Sequence, residues 1–246
     1  MCAWLHHCSP TCREAGWEFA RSYAQDRYHL RLLILGASGG CGRWAVRLAH
    51  NRGHSLRVVV RSKTDFEAPS GVEVITGSVL DQTTILNAVQ GQDAVVSCLG
   101  PKRNNPRNPW SKPASPDDFA ERSARYMIAA MAHHGVSRGA AISAAGVGDS
   151  WPLTSHLLRW FFDHSSIAHA YRDLDRMEQV YAASGLAWLV VRPVTLVQGP
   201  PTSRARVVDR YRILSRISRG DVSQWLLDSV ERGDPVSHRR AMIAWD

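Results

Sequence analysis

The sequence predicts an α/β fold, a Rossmann-like doubly wound parallel sheet in a single domain. Short apolar segments rich in Val, Ile and Leu alternate with longer segments of helical periodicity, and a glycine-rich turn joins the first strand to the first helix. This alternation requires a parallel sheet, because right-handed crossovers return each strand to the same end of the sheet. The 246 residues suffice for one large domain with a small appendage.

The predicted strands are short apolar runs. Residues 31–36 are rich in Leu and Ile and end in glycine, and residues 56–61 contain three consecutive valines. Residues 93–100 are almost continuously apolar, which is typical of a strand buried on both faces. The remaining predicted strands span residues 72–77, 139–146, 187–193 and 239–245.

The predicted helices carry apolar residues at intervals of three and four. Residues 40–51 form the first helix, and Gly53 is its expected stop. Residues 115–134 form the longest one, with Ser115 as the N-cap and Pro116 at the first helical position. The other helices are predicted over residues 82–89, 172–184 and 220–231.

Residues 1–29 differ from the rest, with three cysteines, three histidines and no apolar periodicity. They are expected to form a poorly ordered extension before a domain of residues 30–246. Thiolates and imidazoles are zinc ligands, but the cysteines and histidines show no paired CxxC spacing, so no metal site is predicted. The side chains considered are Cys2, His6, His7, Cys8 and Cys12. With no secretory signal and no long apolar run, a cytoplasmic protein without membrane contact is expected.

The net charge of +8 raises the possibility of a nucleic-acid partner. All but three of the 30 basic residues are arginine, and no lysine follows Lys112. Six arginines lie within residues 204–219, but no recognition-helix pattern accompanies them. Solvated faces are therefore expected there, and the predicted partner is a small molecule rather than a nucleic acid.

The clearest functional signal is the glycine-rich turn between the first strand and the first helix. It consists of Gly36, Ala37, Ser38, Gly39, Gly40, Cys41 and Gly42. Glycines at this spacing permit a tight turn, close approach of backbone N–H groups to a diphosphate, and close packing of helix on strand. The helix N-terminus adds the positive end of its dipole. The turn therefore predicts a dinucleotide site.

The end of the second strand selects the cofactor. NAD sites place an acidic residue there for the ribose 2′-OH, whereas this chain has Arg61 followed by Ser62. A guanidinium suits a 2′-phosphate, so NADP is predicted in preference to NAD. Further expected cofactor contacts lie at the ends of the next two strands, at Ser78, Val79, Leu99 and Gly100.

The run of residues 33–193 resembles the atypical short-chain dehydrogenase/reductase family with an NmrA-like NAD(P)H-binding domain, and is most similar to its flavin and biliverdin reductase branch. Besides the glycine turn, Val58–Arg61 and Gly77–Leu80, the matching motifs are residues 91–95, 99–100, 130–131, 134–136, 176–177, 184–186, 192–193 and 218–222. The resemblance implies NAD(P)H binding and reductase activity. The family usually has Asp at the position of Ser78.

Carbonyl reduction in the wider dehydrogenase class uses a Tyr-x-x-x-Lys pair, in which the lysine lowers the tyrosine pKa. Here Tyr171 is followed four residues later by Asp175, and Ser143 in the fifth strand is followed by Ala144. A nearby carboxylate raises a tyrosine pKa, so this relay is not expected and no catalytic residue is assigned.

The predicted function is therefore an NADPH-dependent oxidoreductase that passes hydride to a planar acceptor such as a flavin, quinone or tetrapyrrole. The alternative is a non-catalytic, NmrA-like redox sensor that binds NADP; a dehydratase or epimerase is a third, more distant one. The proline-rich segment 101–116 is expected to face the ligand. The aromatic residues of segment 151–162 either line the acceptor site or pack a loop onto the core. Oligomeric state is not predicted.

Overall fold

The computed structural model describes residues 29–62, 65–106, 108–232 and 239–245. Residues 1–28, with the cysteines and histidines weighed as metal ligands, lie outside this range. The strands are β1 (Arg31–Leu35), β2 (Ser55–Val60), β3 (Glu73–Thr76), β4 (Ala94–Ser97), β5 (Arg138–Ile142), β6 (Ala187–Pro193), β7 (Thr195–Val197), β8 (Ala205–Val207), β9 (Arg216–Ser218) and β10 (Arg239–Trp245). The α-helices are α1 (Gly40–Asn51), α2 (Gln82–Val89), α3 (Phe119–His134), α4 (His156–Asp163), α5 (Ile167–Ala183) and α6 (Arg219–Glu231).

The main sheet has the strand order β3-β2-β1-β4-β5-β6-β10-β8. Its strands pair in parallel, except that β8 runs antiparallel to β10 at one edge. The order reverses between β1 and β4, which makes their carboxyl ends the topological switch point where ligands bind in such sheets. The predicted Rossmann-like α/β class is confirmed. A separate pair, β7 with β9, is also parallel.

Helices cover both faces of the sheet. On one face, α1 and α6 pack against each other, with Ala45 and Leu226 in a core that includes Ile34. On the other face, α2, α3 and α5 pack over a second core built around Met127 and Trp188. These two apolar layers hold the strand ends of the switch point in fixed positions.

The long helix α3 begins four residues later than predicted. Ser115 does not cap it; its hydroxyl accepts a hydrogen bond from the N–H of Lys102 at 2.9 Å. Instead the carboxylate of Asp173, from α5, accepts from the N–H groups of Ala120 and Glu121 at 2.7 and 3.1 Å. The first-turn donors are thus satisfied from a distant helix rather than by the local N-cap, which no local sequence pattern shows.

Other boundaries also differ from the predictions, and the strand predicted over residues 93–100 ends at Ser97. The helix predicted over residues 172–184 begins five residues earlier, at Ile167, and the strand predicted over 139–146 ends at Ile142. The segment 156–163, which was expected only as an aromatic region, is helix α4. No helix in the described ranges is both long and apolar enough to cross a membrane.

Candidate functional site

The glycine-rich turn is fixed by contacts that leave no room for side chains. The N–H of Gly39 donates to the carbonyl of Gly36 at 2.9 Å. Gly36 has φ +78°, and a Cβ there would lie 2.7 Å from the carbonyl oxygen of Cys98 in the segment after β4. A Cβ on Gly42 would lie 2.0 Å from the carbonyl oxygen of Gly36. The turn therefore packs directly against the strand end and requires glycine at these positions.

Helix α1 begins at the end of this turn with an uncapped N-terminus. Its N-cap, Gly39, has extended backbone and supplies no side chain, and the first turn contains no acidic residue. The N–H groups of a helix's first turn have no acceptor within the helix, and the helix dipole is positive there. Such a terminus is suited to a phosphate group.

A cleft of about 220 Å³ opens beside the turn at the switch point. Many of the residues expected to contact a cofactor line this one cleft: Gly36, Ser38, Gly39, Arg61, Ser78, Val79, Leu99 and Gly100. The other five expected residues do not line it. Ala37 and Cys41 are buried in the core, Gly40 and Gly42 begin α1, and Ser62 is exposed beyond β2.

A further wall of the cleft comes from the proline-rich segment, which the sequence predicts to face the ligand, and from Phe119, which it does not assign to the site. Lys102, Ser115 and Phe119 line the cleft together with Ala114 and Pro116. The segment folds back on itself, because the carbonyl of Lys102 accepts from the N–H of Ala114 at 2.7 Å. Residues of segment 101–116, which the sequence predicts to face the ligand, thus line the cleft. Their proline content was the one available signal.

Arg61 lies at the end of β2 and is exposed at the cleft. Within the described residues, no carboxylate lies within 4 Å of its guanidinium. Arg43 tethers the segment that follows. Its Nε donates to the carbonyl of Ser38 at 3.2 Å, and its guanidinium lies 5.8 Å from the ring of Phe66. This contact, absent from the sequence predictions, holds the region after β2 against the glycine-rich turn.

Tyr171 is turned toward the backbone. Its hydroxyl donates to the carbonyl of Ala145 at 3.0 Å. Burial raises the pKa of the phenol far above its usual value, the neighbouring Tyr211 raises it further, and Arg103 offsets this only in part. Nearby, Ser143 is buried at the end of β5, and its Oγ has no hydrogen-bond partner among the described residues.

The aromatic region divides into core and surface. Phe162 is 5% exposed and packs on Tyr171 with ring centroids 4.9 Å apart, so it belongs to the core. Trp110 and Trp160 are 63% and 60% exposed. The indole N–H of Trp110 donates to the carbonyl of His164 at 2.9 Å, which fixes the proline-rich segment to the end of α4. A second, more open cavity of about 620 Å³ lies beside Tyr171.

The arginines of segment 204–219 fall into two groups. Five of them are exposed, as expected for solvated faces: Arg204, Arg206, Arg210, Arg212 and Arg216. Arg219 is only partly exposed and lies against the first turn of α1.

A parallel sheet with a glycine-lined cleft at its switch point defines a dinucleotide-binding α/β protein. The sequence profile of the NAD(P)H-binding family matches residues 36–232, and the chain belongs to this family. This family assignment confirms the predicted nicotinamide cofactor. It also agrees with the predicted resemblance to atypical, NmrA-like short-chain dehydrogenases/reductases.

Individual relatives agree with this assignment. A 3-diazoavenalumate denitrifying reductase from a Streptomyces species is 29% identical over 185 residues, which cover 72% of this chain and 59% of the relative. The chain thus spans less than two thirds of the length of the curated relatives it matches.

Two solved structures share the fold. ChuY, an anaerobilin reductase from Escherichia coli O157:H7, has a TM-score of 0.69 and 22% identity, covering 87% of this chain and 96% of its own. A wide-type short-chain dehydrogenase/reductase from Veillonella parvula DSM 2008, solved with NADP, has a TM-score of 0.68 and 17% identity. It covers 87% of this chain and 93% of its own.

Proposed function

We propose that this protein is an NADPH-dependent reductase that transfers hydride to a small planar acceptor without a tyrosine–lysine proton relay. The observation that carries the proposal is the switch-point cleft, in which the glycine-rich turn and Arg61 share one cavity. The adenosine end of the dinucleotide would lie along Ser78 and Val79, and the diphosphate would lie at the N-terminus of α1. When bound, the cofactor supplies the hydride, and the protein positions it and the acceptor.

Arg61 supports NADP rather than NAD. The guanidinium is exposed at the end of β2 with no ion-pair partner in the described part of the chain, so it is available to a 2′-phosphate. An NAD site would need an acceptor for the ribose 2′-OH at this strand end, and an arginine has none. The Veillonella neighbour, which was solved with NADP, is consistent with this choice.

The state of Tyr171 supports an acceptor that takes its proton from water. Its hydroxyl proton is already donated to the carbonyl of Ala145, and its raised pKa disfavours the phenolate. Flavins, quinones and linear tetrapyrroles need only hydride from the enzyme, so positioning over the nicotinamide is sufficient. Several of the similar proteins are named as reductases, among them the anaerobilin reductase ChuY and the Streptomyces enzyme.

The reductase activity is tested by anaerobic mixing of the protein with NADPH and FMN, a quinone or biliverdin, following absorbance at the nicotinamide band. We expect NADPH oxidation well above the rate of a control without protein. Tight NADP binding without turnover of any of these acceptors would contradict the reductase and favour a redox sensor that binds NADP without reacting.

The cofactor choice is tested with Arg61→Ala. Loss of a charge-assisted contact to phosphate is worth about 1.5–3 kcal/mol, so the Kd for NADP should rise about 10- to 100-fold while that for NAD stays within about twofold. Arg210→Ala, which removes an exposed arginine far along the chain, is the matched control. Equal weakening of NADP and NAD binding by Arg61→Ala would refute the assignment.

A further inference from the structure

The N-terminus of α6 is rigidly held. The N–H of Asp221 donates to Oγ of the N-cap Ser218 at 2.9 Å, and the Asp221 carboxylate accepts from the Ser218 hydroxyl at 2.7 Å. The same carboxylate accepts from the N–H of Thr202 at 2.7 Å and from the indole of Trp245 at 2.6 Å. This network fixes the backbone from which the side chain of Arg219 extends.

Arg219 extends from this fixed turn onto the glycine-rich turn. A Cβ on Gly40 would lie 2.7 Å from Cδ and 2.9 Å from Nε of Arg219, so the arginine side chain lies directly against this glycine. One terminal nitrogen of the guanidinium lies 4.0 Å from Sγ of Cys41. The hydroxyl of Ser223 donates to the carbonyl of Cys41 at 2.7 Å, which ties the two helix ends together.

This position is unfavourable for a cation without an anion beside it. The N-terminus of α1 carries the positive end of the helix dipole, which repels a guanidinium. Among the described residues, no carboxylate lies within 4 Å of Arg219, and its buried Nε has no hydrogen-bond partner. Buried donors are nearly always satisfied, so an unpaired one beside an anion-binding turn points to a ligand.

We propose that Arg219 binds the diphosphate of the dinucleotide, which would lie at the N-terminus of α1 beside the guanidinium. The inference rests on the proposed cofactor site and adds to it a residue some 180 positions beyond the glycine-rich turn. A diphosphate supplies the negative charge and the acceptor oxygens that the guanidinium fork and the helix N–H groups both need. The lack of a side chain at Gly40 lets the arginine lie close to the first turn of α1.

The test separates the two phosphate sites of the cofactor by ligand. In Arg219→Gln, the Kd values for NADP and for NAD should both rise about 10- to 100-fold, because both ligands carry the diphosphate. Binding of adenosine 2′-monophosphate, which lacks it, should stay within about twofold. Arg61→Ala should give the complementary pattern, with losses for NADP and adenosine 2′-monophosphate but not for NAD.

Arg216→Gln, an exposed arginine of β9, is the matched control and should bind all three ligands normally. Arg219→Lys keeps the charge and should recover part of the lost affinity, and it replaces Arg219→Gln if that variant does not fold. Two results would refute the proposed role of Arg219 and leave the cofactor site intact. These are unchanged affinity of Arg219→Gln for NADP and NAD, and an equal loss of affinity for adenosine 2′-monophosphate. Failure of the unmodified protein to bind NADP would overturn the cofactor site and this inference together.

Discussion

Replacing Glu178 by Gln tests the most deeply buried ion pair in the described structure. The side chains of Glu178 and Arg192 are 1% and 5% exposed, and two hydrogen bonds of 2.9 and 2.5 Å join them. Gln keeps the volume and removes the charge, so the change leaves a buried guanidinium without its main partner. Breaking such a pair by removing one charge costs about 3–5 kcal/mol.

The structure places the expected value at the lower end of that range. Asp149 also bonds to Arg192 and remains in the variant, although it is largely exposed and its attraction is screened by solvent. Arg240 also loses a contact, of 3.0 Å to Glu178, but its own side chain is 36% exposed and can be hydrated. We therefore expect a loss of about 3 kcal/mol, a large part of the 5–15 kcal/mol typical of a domain.

Urea and thermal unfolding followed by circular dichroism measure this loss. For a domain of this size, about 3 kcal/mol corresponds to a melting temperature lower by about 6–12 °C. Glu73→Gln is the matched control, because it removes the same charge from a 2.7 Å pair with Arg57 in which Glu73 is 56% exposed. That variant should lose less than about 1 kcal/mol. Equal losses in the two variants would refute the reasoning from burial.

Two further outcomes follow from named contacts. Gly42→Ala places a Cβ 2.0 Å from the Gly36 carbonyl oxygen, so it should lower the unfolding free energy by about 3 kcal/mol or more. Gly100→Ala is the control, because a Cβ there has open space around it and should not lower the unfolding free energy. Equal stability of the two variants would contradict this reasoning. Burial raises the pKa of Asp221, but hydrogen bonds from Trp245 and other donors outweigh this and lower it overall. The stabilisation from its carboxylate should be present above about pH 4 and lost as pH falls through the lowered pKa. The difference in unfolding free energy between the unmodified protein and Asp221→Asn should therefore become smaller in acid, and a constant difference would contradict this.

The parts of the fold that the sequence predicted are those marked by local sequence patterns. The glycine-rich turn is such a pattern, and β6 and β10 are short apolar runs whose bounds match the prediction, although the two strands pair across 50 residues of sequence. The start of α3 was wrong because its cap, Asp173, comes from another helix more than 50 residues along the chain. Helix α4 was missed although Leu158, Phe161 and Phe162 lie three and four residues apart and pack on the core. The exposed Leu157 and Trp160 lie among them, so the helical spacing is hidden in an apolar run.

The residues of the candidate site show the same difference between local patterns and tertiary contacts. Its glycines and Arg61 occur in local patterns of known meaning, whereas Lys102 and Phe119 reach the cleft only through tertiary folding. Arg219 was hidden among six arginines of one segment, and composition alone could not separate it from the exposed ones. Two local signals were present there: residues 218–222 match a motif of the family, and a Ser followed three residues later by an acid marks a helix start.

The lysine distribution and the setting of Tyr171 lead to the same expectation by independent routes. No lysine follows Lys112, so residues near Tyr171 in sequence cannot supply the lysine of a Tyr-x-x-x-Lys pair. The structure gives this tyrosine a buried site and a carbonyl acceptor, both of which keep it protonated. The phenol would have to break its hydrogen bond to the carbonyl of Ala145 before it could protonate an alkoxide. An acceptor that draws its proton from solvent avoids that step, which is why the proposed reaction is hydride transfer to a planar acceptor rather than ketone reduction.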